Sequence, residues 1–143
     1  MVINTASAAI SFARELEQDG AKFYEGLSQR YPQGRDTFLS IARNNRKNVA
    51  QVQTAYYSVI SDAIEGCFTF NISPEEFRLK IGLTEPTTYA EALGNAIEIE
   101  DKMVRFYSEA AEQSKSLLAD MSHAFDLIAR KRSERKASLK SLQ

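Results

Sequence analysis

One pattern occurs twice along the chain. Glu17-Gln18-Asp19-Gly20-Ala21-Lys22-Phe23-Tyr24 and Glu100-Asp101-Lys102-Met103-Val104-Arg105-Phe106-Tyr107 both place a Glu seven residues before a Tyr that follows a Phe. Each copy is followed by Phe-x-x-Ile-Ala-Arg, at Phe38 to Arg43 and again at Phe125 to Arg130. The spacing of apolar residues around all four segments runs in steps of three and four, the signature of an amphipathic helix. A chain of 143 residues with this repeat reads as one domain made of two copies of a helical hairpin.

Local signals set the expected boundaries. Helix one runs from Thr5 to about Gln29, with Ile10, Ala13, Leu16, Gly20, Phe23, Tyr24 and Leu27 inward. Tyr31-Pro32-Gln33-Gly34 is a turn, because Pro restricts its own backbone and the residue before it. Helix two runs from about Asp36 to Ile64, burying Phe38, Ile41, Ala42, Val49, Val52, Tyr56, Val59, Ile60 and Ala63. Residues 65 to 86 break the pattern, with one short helix expected from Ser73-Pro74-Glu75-Glu76 to about Lys80. Thr88-Tyr89-Ala90-Glu91 is a capping box that opens helix three, with Ala90, Leu93, Ile97, Val104, Tyr107 and Ala111 inward as far as Gln113. Helix four starts near Ser116 and buries Leu118, Met121, Phe125, Ile128, Leu139 and Leu142. The connection between helices two and three is too long for a hairpin loop, so it is expected to cross the length of the bundle.

Composition narrows the function. Eighteen Lys+Arg against nineteen Asp+Glu leave a charge of -1, so no global positive field exists to hold nucleic acid or an anionic membrane. The single cysteine, Cys67, has no partner for an internal disulfide or a resolving step, and reads as an incidental thiol. The start Met1-Val2-Ile3-Asn4 lacks the features of a secretory signal, and a cytoplasmic protein is expected.

Over residues 5 to 64 and 87 to 142 the chain resembles the rubrerythrin-like branch of the ferritin-like superfamily, on the doubled Glu-x6-Tyr and Phe-x-x-Ile-Ala-Arg patterns quoted above. The resemblance implies an all-α, ferritin-like four-helix bundle with a long crossover between helices two and three. It also implies that Glu17 and Glu100 stand where the family holds metal ligands, and that Tyr24 and Tyr107 hydrogen-bond across the centre. The family then carries Glu-x-x-His on the second helix of each hairpin, three residues after Ala42 and Ala129. This chain has Asn45 and Asn48, then Arg132 and Arg135, at those positions.

Arg132 and Arg135 continue the apolar stripe of helix four, and Asn45 and Asn48 lie between Ala42 and Val52 on that of helix two. Glu134 is two residues from Arg132 and faces away. Two carboxylates, no imidazole and two fixed positive charges do not make a di-iron ligand set, because guanidinium has no lone pair for a metal. The expectation is a buried ionic network in which Arg132 and Arg135 bridge Glu17 and Glu100, with Asn45 and Asn48 satisfying the remaining donors and acceptors. A residual one-metal site and an outward, solvated arrangement are the alternatives. On the first reading no cofactor is expected and the role is binding, scaffolding or regulation. The competing reading is a metal-dependent oxidoreductase using iron at Glu17, Glu100 and further ligands. Off the stripe, His123 reads as a surface residue, and the cluster from Arg130 to Lys136 as a solvated helix terminus. Tyr56, Tyr57, Phe68 and Phe70 offer more apolar surface than one small bundle hides, so a helix-face homodimer is expected.

Overall fold

The computed structural model describes residues 2–59, 70–79, 88–115 and 119–143. Four long helices account for most of them: α1 Ala6–Arg30, α2 Arg35–Val59, α3 Tyr89–Ser114 and α4 Ala119–Ser141. Ile60, Ala63, Cys67, Phe68, Lys80 and Leu118, and the side chain of Val59, lie outside the described residues. The Thr88 cap is the one the sequence announces, and Thr5, expected as the first residue of its helix, is also a cap. Thr5 accepts a hydrogen bond from the Ala8 N–H at the start of α1, and Thr88 accepts one from the Glu91 N–H at the start of α3, each satisfying a donor with no partner inside its helix. A 3₁₀ turn at Pro32–Gly34 joins α1 to α2. There Gly34 is packed so closely that a Cβ would lie 2.8 Å from both the Phe38 ring and the Tyr89 hydroxyl.

The helices pack as two hairpins, α1 with α2 and α3 with α4, joined face to face by contacts of α2 with α4 and of α1 with α3. Tyr89, the first residue of α3, packs on Tyr31 at 5.7 Å and on Phe38 at 6.3 Å between ring centroids. The start of α3 therefore lies beside the start of α2, not beside its end. The apolar interior falls into two clusters. One holds Ile10, Leu16, Val52, Met103, Phe106 and Phe125, and the other holds Leu27, Phe38, Ile41, Leu93, Ala96 and Leu139. On every helix the residues of one cluster give way to those of the other near a buried polar residue: Glu17, Asn45 with Asn48, Glu100, and Arg132. A polar layer crosses the middle of an apolar core.

Three expectations need correction. The helix expected from Ser73 is, within the described residues, a single 3₁₀ turn at Pro74–Glu76, and Ser73 makes no side-chain cap. Phe77 then docks against Phe106 with ring centroids 5.7 Å apart, so tertiary packing rather than helix continuation holds this segment. On α3, Ala90 is exposed and Ile97 and Val104 only half-buried, while Ala92, Ala96 and Met103 are buried; the buried face is centred about one residue earlier than the apolar spacing suggests. Phe23, Val49, Tyr56 and Leu142 are likewise half-buried at the edges of their stripes. An unanticipated feature is the isolated antiparallel bridge between Ile3 and Ile72, whose N–H and C=O groups exchange bonds of 2.7 and 3.2 Å.

Candidate functional site

The polar layer is built around one guanidinium. Arg132 is 0% exposed, and on α4 it stands one turn beyond Ile128 and Ala129, both in the core. Its Nη1 donates to both oxygens of Glu100 at 2.9 and 2.8 Å, and its Nη2 donates to Oε2 of Glu17 and, at 2.6 Å, to Oδ1 of Asn45. Both carboxylates are themselves wholly inaccessible to solvent. α1 and α3 thus present one acid each to a single base from α4.

The tyrosines complete the shell in a crossed arrangement. Tyr107, on the helix of Glu100, donates to Oε1 of Glu17 at 2.7 Å, and Tyr24, on the helix of Glu17, donates to Oε2 of Glu100 at 3.1 Å. Glu17 receives a further contact from Nδ2 of Asn48 at 3.5 Å, and Nδ2 of Asn45 reaches the Glu17 carbonyl oxygen at 3.4 Å. Gly20 makes that approach possible, since a Cβ there would lie 2.8 Å from the Asn45 amide nitrogen. The small residue sits one turn after Glu17, where the second copy of the repeat has Met103.

Electrostatics follow from burial and pairing. Loss of solvation lifts the Glu17 carboxyl above its ordinary range, with Arg132 and Tyr107 pulling it partly back. Loss of solvation also works against the charge of Arg132, but Glu100 and Glu17 outweigh it and the guanidinium holds its proton more tightly than usual. Burial raises both phenols well above their normal value, helped by Glu100 beside Tyr24 and by Glu17 beside Tyr107. Both tyrosines therefore stay protonated, and so remain donors, beyond the pH at which a free phenol ionises.

The structure brings together Glu17, Asn45, Asn48, Glu100, Arg132, Tyr24 and Tyr107. It places Arg135 differently from the sequence reading. That side chain is only half-buried, and no hydrogen bond from it to either carboxylate is formed; loss of solvation first, and then the Arg132 charge, lower its affinity for its proton. Position 135 is three residues past 132, about 60° around the helix, which puts it at the border of the core instead of its centre. His123 is exposed. In the basic cluster of α4, Arg130 pairs with Asp126 at 2.9 Å, and Lys136 reaches Asp101 on α3 at 2.9 Å.

The donor set does not suit a metal centre. Among the described residues no three His, Cys, Asp or Glu side chains come together, and the two acids that do converge have their oxygens committed to a guanidinium and two phenols. Compared with protein-family models, with curated proteins and with solved structures, the chain matches none. No described helix is long and apolar enough to cross a membrane.

Proposed function

We propose that this chain is a divergent rubrerythrin-like member of the ferritin-like superfamily in which an internal ion network stands in place of the two-metal centre, and that it serves as a non-catalytic binding, scaffold or regulatory protein of the cytoplasm. The observation that carries this reading is Arg132. Its guanidinium lies between the two acids that the resemblance would assign to metal, and supplies one of the positive charges a metal would otherwise bring. The placement of α3 also supports the family topology: its first residue, Tyr89, packs on Tyr31 and Phe38 at the start of α2 and not at its end, which a direct hairpin between α2 and α3 would require. The partner we propose is a second copy of the chain, although Phe70, expected to add to the exposed apolar surface, is 1% exposed and packed in the core. Tyr57 is 75% exposed and stacks on Tyr56 at 5.4 Å, forming an aromatic step on the outer face of α2.

Metal content tests the reading. Protein made in iron-supplemented medium and purified without chelators should contain far less than one transition-metal ion per chain. Stoichiometric iron, manganese or zinc bound at Glu17 and Glu100 would replace it with that of a metal-dependent oxidoreductase.

A further inference from the structure

The network is not closed. Arg132 uses both terminal nitrogens of its guanidinium, yet its Nε, wholly buried, has no hydrogen-bond partner, and neither has the buried Nη1 of Arg135. A buried N–H on a charged group without an acceptor is expensive, and two of them three residues apart on one helix face call for a common acceptor. The two cations sense each other, the charge of Arg132 being the second-largest influence on Arg135 after loss of solvation. Both carboxylates bond Arg132 at its terminal nitrogens, so neither of them satisfies Nε.

We infer that Arg132 and Arg135 form a binding site for one small monovalent anion, of the size of a halide or formate, held between Nε of Arg132 and Nη1 of Arg135. An anion there touches two guanidinium groups, while both acids are already bonded to the other nitrogens of Arg132 and partly neutralised by it. Entry needs only a swing of the Arg135 side chain, which is half-buried at the border of the core, and no parting of the helices. The seam beside it is polar: Lys131 on α4 reaches Gln51 on α2 at 3.4 Å, and the buried Asn48 lies one turn before Gln51. The site shares with the proposed function the premise that Arg132 holds both acids. Metal content and anion response are separate readings, so metal-bearing protein would refute the proposed function, and metal-free protein indifferent to halide would refute only the anion site.

The test is thermal unfolding of the full chain at fixed ionic strength, with sodium gluconate replaced stepwise by sodium chloride or sodium bromide. The melting temperature should rise with halide, and above the dissociation constant it should climb with the logarithm of halide concentration, as for one site filled only in the folded state. Arg135→Gln should remove the response. Equal melting temperatures across the series, or the same rise in Arg135→Gln, would overturn the inference. Should that variant not fold, crystals of the parent grown in bromide decide. An anomalous bromide peak in contact with both arginines supports the site, and an ordered water there without anomalous signal overturns it.

Discussion

Replacing Arg132 by Ala separates an ionic role from a packing role. The variant keeps Glu17 and Glu100 buried while removing the guanidinium that bonds both, and the half-buried Arg135 is the remaining nearby cation. One acid at least must then stay ionised without a partner or take up a proton. Protonating a carboxyl of ordinary pKa near 4.3 at pH 7 costs about 3.7 kcal/mol, from ~1.36 kcal/mol per unit over ~2.7 units. This agrees with the ~3–5 kcal/mol typical of breaking a buried pair from one side. The same step at pH 5 costs only about 1 kcal/mol. Urea denaturation of parent and variant at both pH values should therefore show a gap that narrows by about 2.7 kcal/mol between pH 7 and pH 5, twice that if both acids protonate. Loss of the arginine stem adds a packing contribution that does not vary with pH. Arg132→Met combined with Glu17→Gln and Glu100→Gln removes all three charges, retains an acceptor for each tyrosine hydroxyl, and should recover most of the loss. A midpoint unchanged at pH 7 with unchanged slope, or a loss equal at the two pH values, would refute the ionic account.

Two other perturbations probe the same layer. Folding keeps Tyr24 and Tyr107 protonated where an unfolded tyrosine ionises, near pH 10. Their folded pKa values lie above the unfolded one, so stability is intact below pH 10 and falls above it by about 1.4 kcal/mol per unit for each phenol; phenolate absorbance and helical circular dichroism recorded together should show two phenols ionising only as helix is lost. Gly20→Ala gains about 1 kcal/mol of helix propensity but pushes a methyl into the Asn45 amide, a crowding that costs about 1–3 kcal/mol. The single variant should be neutral to destabilised, and the same change made in Asn45→Ala should stabilise; a gain in both backgrounds would show that the amide yields freely.

The legible features were those that local chemistry dictates. Thr88 caps where its hydroxyl precedes an apolar rhythm, and Pro32 with Gly34 marks the first turn, because a few neighbouring residues decide these. The layer itself was also legible, since charged residues at positions 132 and 135 of an otherwise apolar stripe demand an opposite charge inside. What spacing leaves ambiguous is the difference between the centre and the border of a stripe. Arg132 and Arg135 share a stripe on α4, yet one is sealed and the other half-open. Ala90 is a helix former that gives no sign of its face. The Ile3 and Ile72 bridge joins residues far apart in the chain and depends on how the hairpins dock, as does the choice of a 3₁₀ turn at Pro74.

The crossed tyrosine bonds bear on the order of assembly. Glu100 and Arg132 are 32 residues apart, within the second hairpin, whereas Glu17 meets Arg132 across 115 residues and Tyr107 across 90. The second hairpin can form its ion pair alone, while the first carries Glu17 with no cation until the two halves meet. Water must leave all these groups in the docking step, and a shift of one helical turn, about 5.4 Å, between α1 and α3 breaks both phenol contacts together. Docking in any other register is therefore penalised twice, and mutations at Glu17 or Tyr107 should chiefly accelerate unfolding while leaving the folding rate nearly unchanged, the kinetic mark of contacts made after the barrier.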